Sequence, residues 1–172
     1  MLRFSIAALT LLVGAGAVQA QENYNVAGET TEAVIATEGQ RDNWYNGSYH
    51  FAPAHRAGDY VFVSGVVLGA WEGEVLDREA YKEAARNAFR TVEGILAAAD
   101  ASFDGVVKLL TFHVFDHPLV SLGKREQVEA LAEVKGEFMP EPHPAWTAVG
   151  TTALLPDNGL VEIDIVVYAP VE

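Results

Sequence analysis

The sequence predicts an α+β fold in which a mixed β-sheet carries two helices on one face. Three observations predict it: segments of strand length that are rich in β-branched and aromatic residues, two stretches with apolar residues at helical spacing, and the order of these segments along the chain. That order is strands, helix, strand, helix and two further strands. Because two helices cover only one face, the other face is expected to be apolar and uncovered, which favours self-assembly.

The N-terminus has the pattern of a secretory signal. Arg3 is followed by an apolar run over residues 4–18, and Val18-Gln19-Ala20 matches a small-residue cleavage site. We therefore expect a signal peptide at residues 1–20, an extension at 21–49 and the folded domain at 50–172. The predicted location is periplasmic or secreted, with no membrane association after cleavage; an uncleaved N-terminal anchor is the alternative.

Composition narrows the chemistry. The 172 residues contain no cysteine, which excludes disulfides and thiol catalysis, and the formal net charge is −13 at pH 7. An acidic surface repels phosphate backbones, so we expect no nucleic acid partner. No metal-binding His pattern, P-loop or dinucleotide motif occurs, so neither a metal nor a cofactor is expected.

The first half of the chain is predicted to form strands after an irregular extension. Residues 21–47 are expected to be largely irregular and to end by docking their aromatic side chains, with a mobile tail as the alternative. Residues 51–57 predict a short edge strand, since Pro53 disfavours a central position. Residues 60–64 predict a buried strand that continues through 65–70 after a bulge.

The second half supplies both helices and three strands. Asp77 is a good N-cap for a helix that ends near Asp100, and a second helix is expected from Lys124 to Gly136. Strands are predicted at 106–115, 146–155 and 160–168. Asn158-Gly159 predicts a hairpin turn between the last two strands.

Four segments resemble the Rid family, also called YjgF-like or L-PSP proteins. They are Val61-Phe62-Val63-Ser64-Gly65, the helix and strand start over 87–108, Pro144-Ala145-Trp146-Thr147-Ala148-Val149-Gly150, and the C-terminal strand from Leu160 to Val167. Together they span about residues 50–168 in the family's order. The resemblance implies a chorismate-mutase-like fold and a homotrimer with three clefts between subunits.

The resemblance also implies where a site would lie and how it departs from the family. Most members have an arginine in a P-A-R motif that grips the carboxylate of a 2-imino acid, which water then hydrolyses. Trp146 stands there in this chain. Because tryptophan has one N–H donor and no charge, we expect no ordinary 2-iminobutanoate deaminase activity. Arg56 is considered as a replacement from another direction.

The remaining site residues follow from the same alignment. Glu162 matches the family's acid near the attacking water and is the expected catalytic residue. The alternative is that Glu162 is a strand residue that faces solvent and has no catalytic role. Asp164, two residues further on, is expected to point to the same face of the sheet. The expected substrate-binding residues are Trp146, Phe51, Thr147, His143, Ser64 and Gly65, of which His143 is included as the best alternative polar group, three residues before Trp146.

The predicted function is binding or hydrolysis of a small imine, enamine or related carbonyl metabolite in an intersubunit cleft. The alternative is a non-catalytic ligand-binding or chaperone-like trimer. An endoribonuclease, the activity in the L-PSP name, is disfavoured by the negative charge.

Overall fold

A computed structural model describes residues 23–71 and 74–171. The predicted signal peptide lies outside the described residues. The helices are α1 (Glu38–Gln40, continued by a π-helical turn at Arg41–Tyr45), α2 (Arg78–Ala97) and α3 (Lys124–Phe138). The strands are β1 (Val26–Ala27), β2 (Thr31–Val34), β3 (Ala54–Ala57), β4 (Tyr60–Gly69), β5 (Val106–His113), β6 (Ala145–Gly150) and β7 (Gly159–Tyr168). No helix in these described segments is long and apolar enough to span a membrane.

The strands of the described chain form one mixed seven-stranded sheet in the order β1-β2-β3-β4-β7-β5-β6. Among the strands of the described chain only β5 and β6 pair in parallel, and β7 is antiparallel to both of its neighbours. This confirms the predicted α+β class and mixed sheet. Strand β7 lies between β4 and β5, and its odd-numbered side chains, such as Ile163 and Ile165, are fully buried.

The hairpin predicted at Asn158-Gly159 is wrong. Strands β6 and β7 are not paired, because β5 lies between them. The Asn158 side chain instead donates to the carbonyl of Ala70 at 2.6 Å, and the Ala70 N–H donates back to the Asn158 carbonyl at 3.1 Å. The turn at Asn158-Gly159 therefore holds the loop against the end of β4 and does not connect two neighbouring strands.

The extension is also more ordered than predicted. Strand β2 pairs antiparallel with β3 in the register Thr31↔Ala57, and β1 pairs with β2. The edge strand expected at 51–57 is consequently an interior strand, shortened to Ala54–Ala57, with Pro53 just before it. The predicted docking of aromatics is confirmed for Trp44, whose ring stacks on Phe51.

The two long helices begin and pack as the sequence predicts. The Asp77 carboxylate accepts from the Ala80 N–H at 3.0 Å and caps α2. Buried residues of α2 and α3, including Phe89, Val92 and Leu131, pack against one sheet face. We call the other face the open face. Large apolar side chains are exposed on it, namely Tyr60, Phe62, Val149 and Tyr168.

Candidate functional site

The candidate site forms where β4 bulges opposite β7. The register of this strand pair shifts between Val63 and Val66, which leaves Ser64 and Gly65 at the bulge. On β7, Glu162 pairs with Val67 and projects to the open face, half-buried. Its carboxyl group folds back against Gly65. A Cβ at position 65 would lie 1.8 Å from Glu162 Oε1, so glycine is the residue that admits this carboxyl group.

A cleft of about 800 Å³ opens beside this carboxyl group. Both walls come from distant parts of the sequence: the extension and its junction with the domain, the β4 bulge, helix α2, the loop before β7, and β7 itself. The lining residues are Asn43, Trp44, Tyr49, Phe51, Ser64, Gly65, Val66, Val67, Thr91, Leu155, Pro156 and Glu162. Four of the predicted site residues are thus brought together: Glu162, Phe51, Ser64 and Gly65.

Glu162 is the one charged residue among those that line the cleft. Within the described residues its carboxylate has no hydrogen bond and no ion pair, which leaves both oxygens available. The two aliphatic hydroxyls of the lining have already committed their protons: Ser64 Oγ donates to the Ala52 carbonyl at 2.7 Å, and Thr91 Oγ1 donates to the Asn87 carbonyl at 3.1 Å. Toward the cleft these oxygens present only lone pairs.

Three aromatic side chains, which we call the aromatic wall, line the same cleft as the carboxylate. The rings of Trp44 and Phe51 are stacked with centroids 5.5 Å apart and an interplanar angle of 18°. Tyr49 adds a third ring and is largely exposed. The wall therefore offers π faces to a ligand that reaches Glu162.

The other three predicted site residues lie elsewhere. Trp146 is opposite Leu109, which is opposite Ile165, so Trp146 is two strands from β7 and on the helix-covered face. The Thr147 hydroxyl accepts from Lys108 at 2.7 Å on the open face. His143 is exposed in the loop before β6, 3.8 Å from Glu141. All three belong to the β6 edge of the sheet, and none lines the cleft of its own chain.

The Trp146 indole is held inside the chain. Its N–H donates to Thr111 Oγ1 at 3.0 Å, and the same hydroxyl is 2.9 Å from His113 Nε2. The Lys135 ammonium lies 5.8 Å from the indole centroid, a cation–π contact. His113 is fully buried, and burial lowers its pKa to about 4. The only donor of Trp146 is thereby used within the chain.

Arg56 does not replace the missing arginine in the cleft. Its guanidinium donates to the carbonyls of Ala99 and Ala169, which ties the end of α2 to the C-terminal segment. Asp164, two residues after Glu162, does not line the cleft, and burial raises the pKa of its carboxyl group. The described residues contain no cluster of three or more side chains suited to holding a metal ion.

Sequence reasoning missed part of the cleft. Asn43, Trp44 and Tyr49 lie in the extension, Thr91 faces out from α2, and Leu155 and Pro156 lie in the loop before β7. Aromatic residues within an otherwise polar N-terminal segment were the available signal, because such rings need an apolar surface to dock on.

The fold and this bulge site define an α+β protein of the YjgF type. The family model described as endoribonuclease L-PSP matches residues 45–169, and the chain belongs to this family, the Rid family. RutC family protein YjgH of Escherichia coli K12 is 34% identical over 107 residues, covering 62% of this chain and 74% of YjgH.

Solved structures support the same assignment. A structure of protein YjgH superimposes with a TM-score of 0.58 at 31% identity, covering 76% of this chain and 91% of that one. RidA from the Antarctic bacterium Psychrobacter sp. PAMC 21119 gives 0.54 at 28% identity, covering 71% and 89%. A Mycobacterium tuberculosis member of the YjgF/YER057c/UK114 family gives 0.60 at 22% identity, covering 81% and 99%, a likeness of fold.

Proposed function

We propose that this protein binds a small imine, enamine or related carbonyl-derived metabolite in the cleft and hydrolyses the C=N bond of the imine form. The observation that carries the proposal is the Glu162 carboxylate, seated against Gly65 in an open cleft with both oxygens free of partners in the described chain. A carboxylate so placed can accept a proton from an attacking water and return it to the substrate nitrogen.

The reaction balances with water as the only co-reactant. Water adds its oxygen to the imine carbon while Glu162 takes one of its protons and delivers it to the nitrogen. Glu162 then takes the hydroxyl proton of the resulting carbinolamine and passes it to the nitrogen, so that the C–N bond breaks, the carbonyl forms and the amine leaves. Glu162 ends in its starting state, and no metal or organic cofactor is needed.

The same site disfavours 2-imino acids. A carboxylate substrate needs a cation or several N–H donors, and no Lys, Arg or His lines the cleft. Losing a buried bidentate arginine costs on the order of 2–5 kcal/mol of binding. We therefore keep the proposal that 2-iminobutanoate is a poor substrate, on the basis of this lining rather than of Trp146 alone.

We further propose that the protein is exported and works as a homotrimer. The signal-like N-terminus supports export to the periplasm or outside the cell. Exposed Tyr60, Phe62, Val149 and Tyr168 on the open face support assembly. Since Trp146, Thr147 and His143 lie at the β6 edge, only a neighbouring subunit could bring them to a cleft. Light scattering and N-terminal sequencing, with Gln21 expected first, test these two points.

The enzyme assay follows carbonyl and amine release from a panel of uncharged imines and enamines, with 2-iminobutanoate in parallel. Glu162→Gln is expected to lower kcat by about 10²–10⁴-fold, the usual contribution of a general acid–base residue. Asp164→Asn is the matched control, because it removes one carboxylate from the same strand and face outside the cleft. Unchanged turnover in Glu162→Gln refutes the catalytic role.

Two other outcomes identify the alternatives. Ligand binding that depends on the cleft, without turnover of any imine, assigns the protein to the non-catalytic ligand-binding class. RNA cleavage that is unaffected by Glu162→Gln would support the activity in the family's name, although the charge of −13 disfavours RNA binding. Hydrolysis of 2-iminobutanoate would mean that a cation from outside this lining, for example from another subunit, reaches the cleft.

A further inference from the structure

The hydrogen-bonding character of the cleft is one-sided. Acceptors dominate: the two Glu162 oxygens, the lone pairs of Ser64 and Thr91, whose protons are committed to backbone carbonyls, and the side-chain oxygen of Asn43. Asn43 Nδ2 already donates to the Gly39 carbonyl at 2.8 Å. The remaining side-chain donors of the lining are neutral. The cleft therefore favours a ligand that brings N–H or O–H donors.

The aromatic wall favours the same kind of ligand. A cation placed over an aromatic face is attracted by the ring quadrupole, most strongly by tryptophan. Trp44, Phe51 and Tyr49 line the same cleft as Glu162, so the cleft offers a cation both aromatic rings and a carboxylate. Two of these rings, Trp44 and Tyr49, come from the extension, which gives that segment a role in ligand choice.

We propose that the cleft is selective for small organic cations that carry N–H donors, such as a protonated imine or amine without a carboxylate group. This inference rests on the proposed function, since it names the substrate class of the same site. Glu162 would balance the ligand charge and accept its N–H, while Trp44 and Phe51 would hold the apolar part. The proposal inverts the charge that the family's arginine selects.

The test compares three probes of matched size by isothermal titration at pH 7: 2-phenylethylammonium, 3-phenylpropionate and 2-phenylethanol. The ammonium is expected to bind about tenfold or more tightly than the acid, and more tightly than the alcohol. Glu162→Gln should remove most of this preference. Trp44→Ala should weaken all three probes, since each uses the ring face.

Asp164→Asn is again the matched control. Both substitutions remove one negative charge from the same face, so general attraction of cations by an acidic protein falls equally in both. Only Glu162→Gln should change the ratio of ammonium to acid affinity. Folding of each variant is checked by thermal unfolding, and Glu162→Asp, which keeps the charge, should retain the preference in part.

The outcomes separate the two proposals. Equal or tighter binding of 3-phenylpropionate overturns cation selectivity, as does a preference that survives Glu162→Gln or an absence of binding by all three probes. Cation preference without imine turnover supports the inference while removing the catalytic part of the proposed function. Imine hydrolysis without cation preference supports the proposed function and overturns the inference of cation selectivity.

Discussion

Acid should destabilise this protein through His113, at the end of the polar chain that runs from Trp146 through Thr111. His113 is fully buried, its Nε2 is 2.9 Å from Thr111 Oγ1, and its ring stacks on Phe115 with centroids 5.0 Å apart. Burial lowers its pKa from 6.5 to about 4 because the charged imidazolium would lose its hydration. The folded state therefore holds His113 neutral over a range where the unfolded chain is protonated.

The pH dependence of the unfolding free energy follows from the difference between the pKa of His113 in the folded and unfolded states. A depressed histidine pKa contributes stability that is complete above pH 6.5 and is lost as the pH falls toward 4, because the unfolded state then binds the extra proton. A difference of about 2.5 pKa units corresponds to about 3 kcal/mol in full. Between pH 7 and pH 5 the share that disappears is about 2 kcal/mol.

The assay is urea unfolding at pH 7 and pH 5 at one protein concentration and ionic strength. His113→Gln removes the titration, so its loss of stability between the two pH values should be smaller than that of the wild type by about 2 kcal/mol. His143→Gln, at an exposed histidine, is the control and should lose as much as the wild type. Equal pH dependence in His113→Gln and the wild type would refute the reasoning.

Three further predictions concern single contacts. Gly65→Ala should leave the fold intact but push the Glu162 carboxyl group back by about 1.5 Å, to ordinary van der Waals contact, so ligand affinity should fall to the level of Glu162→Gln; wild-type affinity by titration would contradict this. Arg56→Met should lower the unfolding free energy by about 1.5–3 kcal/mol in urea, since two charge-assisted bonds to backbone carbonyls are lost. Burial raises the pKa of Asp164, so the folded state loses stability when this carboxyl group ionises as the pH rises. Asp164→Asn should therefore raise the melting temperature at pH 7, and it should have no such effect at pH 3, where the group is protonated.

The helices and central strands were predictable from sequence because they depend on local chemistry. Asp77 caps α2 as its residue type predicts, and the bulge at Ser64-Gly65 was expected from a glycine within a strand. The pairing of the strands was harder to predict from the sequence. Asn158-Gly159 has the local signature of a hairpin, but the position of β5 between β6 and β7 depends on packing that no short window contains.

The residues of the cleft also divide into those that the sequence could predict and those that it could not. Glu162, Gly65, Ser64 and Phe51 came from motif alignment, and the structure brings these four together. Trp44 could not be placed because it precedes the aligned segments and reaches the cleft only through the turn of the extension. The family position of Trp146 did not reveal the orientation of its side chain. In a strand that orientation depends on register, and Trp146 opposite Leu109 faces the helices.

The replacement of arginine by Trp146 and the aromatic wall of the cleft bear on the same physical question, the charge of the ligand. An indole with its N–H committed to Thr111 cannot grip an acid group, so position 146 contributes no charge selection. Glu162 remains, unpaired in the described chain and in the same cleft as the rings of Trp44 and Phe51. Removing the cation while keeping the carboxylate does not leave a neutral cleft. It leaves a cleft with the opposite preference, because a half-buried carboxylate that lacks a partner in the protein is best satisfied by a donor on the ligand.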